Sequence, residues 1–263
     1  MLKITNLHKT FFPGTANERV ALDGVDLALA PGDFVSIIGS NGAGKSTLLN
    51  LVSGRLRPDS GSVNIDGTDL TRMKEHTRAK YIGRVFQDPL AGTAPNLTIE
   101  ENLSLAYRRG QRRGLAPALN GKLREDFRTE LASLELGLEN RLTHKVGLLS
   151  GGQRQALSLL MAGFTKPKIM LLDEHTAALD PQRAGLVTEL THKIVEDGGL
   201  TTLMVTHNME QAIRLGNRLV MMHEGKIVYE ADEEVKSRLT VHDLLGEFTK
   251  IKGATLSDKA FLG

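Results

Sequence analysis

The sequence predicts an α/β fold, with a mixed and mainly parallel sheet core, an antiparallel β subdomain and an inserted helical subdomain. Three patterns predict it. The apolar, β-prone run Phe34 to Ile38 leads straight into Gly39-Ser40-Asn41-Gly42-Ala43-Gly44-Lys45-Ser46, and a helical segment from Lys45 to Ser53 follows. A second apolar run, Ile169 to Leu172, ends in two carboxylates, Asp173 and Glu174, after which strand and helix patterns alternate. Between these, from about residue 88 to 165, the apolar spacing becomes helical.

Taken in order, residues 2–7, 20–29 and 62–66 alternate or run apolar in strand fashion, and Asp66-Gly67 is a hairpin turn signal. These suit a small antiparallel sheet. Gly54 stops the helix that begins at Lys45. In the helical part, Thr98 and Glu101 have capping-box spacing. Leu123, Phe127, Leu131 and Leu134 mark the core face of one helix, and Leu157, Leu160, Met161 and Phe164 that of another. The cluster Arg108-Arg109-Gly110-Gln111-Arg112-Arg113 reads as a solvated loop, with contact to anionic lipid headgroups or a membrane partner as the sharper alternative. Further on, Asp180 and Pro181 start a helix as N-cap and first residue, and Gly198-Gly199 ends it. Thr201 to Thr206 is β-prone, and Val241 to Ile251 can form a short amphipathic helix with Leu244, Leu245 and Phe248 apolar.

The glycine-rich loop carries phosphate chemistry. Glycines 39, 42 and 44 let the backbone turn tightly, so that its N–H groups point inward at phosphate oxygens. The positive end of the following helix faces the same anion. Lys45 would reach the β- and γ-phosphates, the Ser46 hydroxyl would ligate Mg²⁺, and Thr47 adds a further phosphate contact. Asp173, at the end of its strand, can hold Mg²⁺ through water. Glu174 is the candidate base that polarises the attacking water.

Composition narrows the setting. The 263 residues include no cysteine, which excludes disulfides and thiolate metal sites and suits a reducing compartment. Net charge is only +2, so the overall electrostatic signature of a nucleic-acid binder is absent. The N-terminus, Met1-Leu2-Lys3-Ile4-Thr5-Asn6, has no signal-peptide core, and no apolar run approaches the ~18 residues that span a bilayer. Any membrane role is expected to come through a separate chain.

Between the phosphate loop and the Asp-Glu pair lies Leu149-Ser150-Gly151-Gly152-Gln153. In that order the three motifs resemble the ATP-binding-cassette (ABC) ATPases, a P-loop NTPase type, over roughly residues 1–230. The resemblance implies roles for further residues. Phe11 aligns with the aromatic residue that stacks on adenine, with Phe12 as the alternative. Gln87, in Val85-Phe86-Gln87-Asp88-Pro89, matches the glutamine that senses Mg²⁺ and the lytic water and links the ATP site to a membrane partner. Ser150, Gly151, Gly152 and Gln153 match the signature loop that approaches a γ-phosphate. Asp180, in Ala177-Ala178-Leu179-Asp180, belongs to the loop that crosses between protomers, and His207 matches the histidine that contacts the γ-phosphate. One departure is His175, where most members have Pro. It reads either as a tolerated variant or as a titrating group beside the γ-phosphate.

The family implies an ATPase subunit whose copies meet head to tail around ATP and Mg²⁺, each nucleotide lying between the Lys45 side of one copy and the Ser150 side of the other. It implies a place on the cytoplasmic face of the cell membrane, an integral membrane permease as partner, an extracytoplasmic solute-binding protein reached through that permease, and no nucleic acid. Residues 1–240 would form the ATP-binding domain, with the helical subdomain inserted at about 88–165, and residues 241–263 a short helix and tail. The Glu-His-Thr-Ala-Ala-Leu-Asp-Pro run and Thr206 to Ala212 resemble importer ATPases linked to amino-acid uptake. Alternatives are an exporter, a lipoprotein-extraction system, or a non-transport ABC ATPase; one of the DNA-repair or chromosome-structure kind would need long heptad arms or a clamp domain, and none is present between the phosphate loop and the signature.

Overall fold

The structure, a computed structural model, describes residues 1–111 and 118–261, and side chains as far as residue 251. In chain order the elements are β1 (Leu2–Phe11), β2 (Arg19–Leu29), β3 (Phe34–Gly39), α1 (Lys45–Ser53), β4 (Ser60–Ile65), β5 (Thr68–Asp69), α2 (Glu75–Arg78), β6 (Ile82–Val85), α3 (Ile99–Tyr107), α4 (Gly121–Ala132), α5 (Gly151–Gly163), β7 (Ile169–Asp173), α6 (Pro181–Gly198), β8 (Thr201–Val205), α7 (Met209–Arg214), β9 (Arg218–His223), β10 (Lys226–Ala231), α8 (Glu233–Lys236) and α9 (Val241–Phe261). They divide into two compact units, one of residues 1–52, 56–71 and 203–263, the other of 53–55 and 72–202.

In the first unit, β2-β1-β4-β5 form an antiparallel sheet. Its last turn is the one the sequence signals: Asp66 and Gly67 both have positive φ, 49° and 77°, and Ile65 pairs with Thr68 across them. β3 is buried along its whole run from Phe34 to Ile38 and pairs in parallel with β9, which pairs antiparallel with β10. Burial on both faces is why the run is apolar at every position but Ser36, whose buried hydroxyl donates to the Leu215 carbonyl at 3.0 Å, rather than alternating. A core of Ile38, Ala212, Leu219, Met221, Ala231 and Leu244 joins this sheet to α7 and α9. The C-terminal helix differs from its expected form in two ways. It continues to Phe261, and Leu245 is 51% exposed while Leu244 is fully buried. Consecutive helical residues point about 100° apart, so the stripe runs through Leu244, Phe248 and Ile251 instead.

In the second unit β6 and β7 pair in parallel, Ile82 opposite Ile169 and Val85 opposite Leu172. The Thr98–Glu101 capping box starts α3 as the spacing predicts, with the Thr98 N–H donating to Glu101 Oε2 at 2.7 Å. Leu123, Phe127, Leu131 and Leu134 are buried together. Phe127 sits edge-on to Tyr107 (6.4 Å between centroids) and Phe164 (5.5 Å), which fastens α4 to the ends of α3 and α5. Arg109 is not part of a solvated loop: its guanidinium donates to the Ala162 carbonyl (2.9 Å) and Thr165 Oγ1 (3.0 Å), and burial lowers its pKa. Carbonyls at the end of a helix such as α5 lack intrahelical partners, so an arginine there acts as a cap. Arg112 and Arg113 lie outside the described residues.

The aromatic trio makes a stability prediction. Phe127→Ala removes a wholly buried ring and should cost about 3–5 kcal/mol. Urea unfolding should show a clearly lower midpoint; an unchanged midpoint would mean that the helices hold together without it.

Candidate functional site

In the first unit, the loop between β3 and α1 takes conformations open mainly to glycine. Gly44 has φ 102°, and a Cβ there would come within 2.4 Å of the Ala21 carbonyl oxygen. At Gly39 a Cβ would lie 2.3 Å from the Met222 carbonyl oxygen. The backbone therefore follows a path that no side chain could share. Lys45 is 6% exposed and donates to the carbonyls of Gly39 (2.7 Å) and Ser40 (3.0 Å), so its ammonium lies across the loop it belongs to. Asn41, Gly42 and Ser46 are exposed or nearly so, Ala43 is buried, and Thr47 is half-buried. Arg19, on β2, donates to the Gly42 carbonyl at 3.1 Å; the sequence offers no signal for this contact.

His207 is exposed on the short link between β8 and α7, and the backbone on both sides of it is pinned. Thr206 Oγ1 donates to Gln211 Oε1 (2.8 Å) and accepts from the Asn208 N–H (3.1 Å), while Asn208 caps α7 by accepting from the Gln211 N–H (2.9 Å). Of the two aromatic candidates, Phe11 ends β1 half-buried with the Lys9 ammonium 5.9 Å from its ring centroid, and Phe12 is 67% exposed.

The second unit gathers the acidic motif, Gln87 and the signature segment. Because Val85 lies opposite Leu172 in parallel register, Gln87 and Asp173 emerge at the same carboxyl-terminal edge, where open α/β sheets bind ligands. Asp173 Oδ2 accepts from Arg84 at 2.9 Å, with both side chains largely buried. Arg84 also donates to Ser53 Oγ (3.0 Å) and stacks 4.7 Å from the centroid of Phe86. An arginine within a short buried strand calls for such a partner, but nothing local in the sequence names it. Gln155, fully buried on α5, donates to the Phe86 carbonyl at 3.1 Å and so fixes the residue before Gln87.

Ser150 is the N-cap of α5, and with Gln153 it forms a second capping box: Ser150 Oγ accepts from the Gln153 N–H (3.3 Å), and Gln153 Oε1 accepts from the Ser150 N–H (3.2 Å). Gly152 lets Arg183 at the start of α6 pack close, since a Cβ there would lie 3.2 Å from the Arg183 side chain, whereas one on Gly151 would make ordinary contact with Leu179 at 3.4 Å. Asp180 caps α6 by accepting from the Arg183 N–H at 3.1 Å.

His175 points inward. It is 1% exposed, and its Nε2 lies 2.9 Å from Thr191 Oγ1 on α6. Thr191 donates its own proton to the Val187 carbonyl (2.7 Å), so the threonine oxygen accepts and the imidazole carries its proton on Nε2. Burial lowers the His175 pKa to about 4. The ring is therefore neutral near pH 7, which removes the reading of His175 as a titrating group at the phosphates.

Mg²⁺ prefers oxygen ligands, takes few carboxylates, and completes its shell with substrate phosphates and water. Ser46, in the first unit, and Asp173, in the second, each carry an oxygen donor of that type. Among the described residues no cluster of three or more His, Cys, Asp or Glu could hold a metal ion.

The neutral histidine gives a pH prediction. Between pH 6.5 and 4 the unfolded chain binds a proton at this residue that the folded chain does not, so stability falls as pH drops through that window. The loss should approach the order of 3 kcal/mol by pH 4, and His175→Pro should unfold with a shallower pH slope there. Equal slopes in urea titrations of the two proteins would show that the ring is not kept neutral.

The family model described as ABC transporter matches residues 22–177. The chain is 45% identical over 248 residues to the tyrosine transport ATP-binding protein of Clostridioides difficile (strain R20291), covering 94% of this chain and 98% of that one. It is 35% identical to the lipoprotein-releasing system ATP-binding protein LolD of Ruegeria sp. (strain TM1040), covering 86% and 97%. Among solved structures it resembles the dimeric post-hydrolysis state of the ATP-binding cassette MJ0796 bound to ADP and Pi, with a TM-score of 0.75 and 32% identity, covering 89% of this chain and 99% of that one. The chain belongs to the ABC transporter family, as its ATP-hydrolysing cassette subunit.

Proposed function

We propose that this cassette powers amino-acid import, aromatic amino acids first among the solutes to test, through a separate membrane permease. The observation that carries the reading is the 45% identity with the tyrosine transport ATP-binding protein over nearly the full length of both chains. Among the described residues no helix is long and apolar enough to cross a bilayer, so the reading assigns the crossing to the permease. The place of work that follows is the cytoplasmic face of the membrane, where the permease, and through it an extracytoplasmic binding protein, would engage the cassette.

In the proposed mechanism the glycine loop residues 39–44, with Ser46 and Thr47, hold the β- and γ-phosphates by backbone N–H and hydroxyl groups, and Lys45 neutralises them. Phe11 stacks on the base. On the family reading Ser46, Gln87 and Asp173 would each serve Mg²⁺, and the ion would spread the charge that builds on the phosphate oxygens. Glu174 takes a proton from the attacking water, and His207 contacts the γ-phosphate. Ser150 to Gln153, at the positive end of α5, meet the γ-phosphate bound by a second copy, and Asp180 lies at that junction. The MJ0796 cassette is dimeric, which supports pairing of this kind here.

Three measurements test this. Purification from the native membrane should recover an integral membrane subunit, and hydrolysis by that complex should rise when tyrosine or a related amino acid and its binding protein are supplied. Stimulation by a lipoprotein instead would move the chain to the extraction systems that LolD represents. Lys45→Ala should weaken ATP binding by about 10- to 100-fold, the worth of a charge-assisted contact to phosphate; unchanged affinity would displace the loop from the phosphates. Glu174→Gln should lower hydrolysis by ~10²-fold or more while ATP still binds, and light scattering with ATP should report a mass near twice 28.6 kDa. A monomer at saturating ATP would rule out pairing of identical copies.

A further inference from the structure

We propose that His175 and Thr191 are positioning residues for Glu174: the buried imidazole–hydroxyl contact holds the catalytic loop so that the carboxylate is presented in one conformation. The inference rests on the reading of Glu174 as the base.

Glu174 has φ 44°, in the left-handed region that residues with a Cβ rarely occupy. Such a conformation persists only where the surroundings enforce it. Upstream the enforcement comes from β7, whose Leu172 is paired with Val85. Downstream, the Ala177 N–H donates to the Glu174 carbonyl at 2.9 Å and closes a turn, and Asp180 fixes the start of α6. Between them, His175 is an anchor at the turn itself. Its ring is sunk against α6, and its Nε2–H is given to Thr191 Oγ1 at 2.9 Å. Thr191 is fully buried on an 18-residue helix and is itself locked by its bond to the Val187 carbonyl. Neither partner can turn away without leaving a buried polar group unpaired.

A proline at this position would act through the backbone alone, fixing its own φ and pushing the preceding residue toward extended conformations. Glu174 is not extended here. In this chain the restraint is supplied by a side chain reaching across to α6. A helix residue 17 positions from Glu174 along the sequence thereby controls the carboxylate's aim.

The test is steady-state hydrolysis of the full chain with Mg–ATP, alongside nucleotide affinity. Thr191→Val keeps volume but removes the acceptor; it should lower kcat about tenfold, as for loss of one buried hydrogen bond, with ATP affinity within about twofold of the parent. Thr191→Ser should restore the rate. In a His175→Pro background Thr191→Val should have no further effect, because the contact is already gone. Should Thr191→Val not fold, His175→Asn, too short to reach α6, reads the same contact from the other side and should show the same kcat loss at unchanged affinity. A kcat within about twofold of the parent in the folded variant, equal losses of kcat and affinity, or an undiminished Thr191→Val effect in the His175→Pro background would each overturn the proposal. Glu174→Gln separates the two readings: if it still hydrolyses ATP, the base assignment fails, whereas an inactive Glu174→Gln beside a fully active Thr191→Val sinks only the positioning role.

Discussion

The constraint on which the rest depends is the abrupt exit of wholly buried strands into loops that must present polar backbone. From Phe34 to Ile38, β3 has no exposed residue, and one position later the chain must turn. Gly39 and Gly44 make that turn beside the Met222 and Ala21 carbonyls, at distances that forbid a Cβ. Neither residue is replaceable by alanine without moving the neighbouring strand. What emerges is a tight loop running into the amino end of α1, closed by the Ala43 N–H on the Ser40 carbonyl (3.1 Å), with Lys45 bonded back to the Gly39 and Ser40 carbonyls. A loop of this kind at a helix amino end is the backbone setting in which anions bind, and the proposed mechanism uses it so. β7 poses the same problem in the second unit. There the exit is made by Asp173 and Glu174, and the backbone at Glu174 is left-handed without being glycine.

Much of this is legible in the sequence, because it is encoded locally. A glycine loop after an apolar run, an apolar run ending in acids, Thr98 three residues before Glu101, and Asp180 before Pro181 each state their structure within a few residues, and each element appears where its signal lies. What is not legible depends on residues distant in sequence. Arg84 reads as an odd charge in a strand until Asp173, on the neighbouring strand, is seen to accept from it. Gln155 reads as one more polar residue after the signature until its amide meets the Phe86 carbonyl. Arg109 reads as solvated because it sits in a basic run, yet it caps the carbonyl end of α5. The expected α9 stripe fails for a simpler reason: Leu244 and Leu245 are adjacent, and only one of them can face the core.

His175 shows how a sequence anomaly can mislead about chemistry. A histidine beside a carboxylate proposed as the catalytic base suggests proton traffic, and its ordinary pKa near neutrality encourages that reading. Burial reverses it. An imidazole held at a pKa of about 4 does not titrate near pH 7, and the one proton it keeps is given to a threonine. Its value is steric and directional. The same residue that could not be a sensor becomes a fixed strut, and the helix α6 acquires a role in the geometry of the turn through Thr191.

Several motif residues that cap helices would have a second duty in the proposed mechanism, and magnitudes separate the two. Ser150 and Gln153 cap α5 while their segment faces the anion-seeking end of that helix; Asp180 caps α6; Asn208 caps α7 one residue after His207. Loss of a cap costs about 1 kcal/mol, an amount that a folded domain with stability of roughly 5–15 kcal/mol can absorb. Loss of a phosphate contact acts on binding or on the transition state, where about 1.4 kcal/mol is already a factor of ten. A defect at Ser150 that appears in activity with little change in unfolding therefore reports the anion contact, and one that appears equally in both reports the cap. The serine hydroxyl can serve both at once, because the cap uses it as an acceptor and leaves its proton to be donated to a phosphate oxygen.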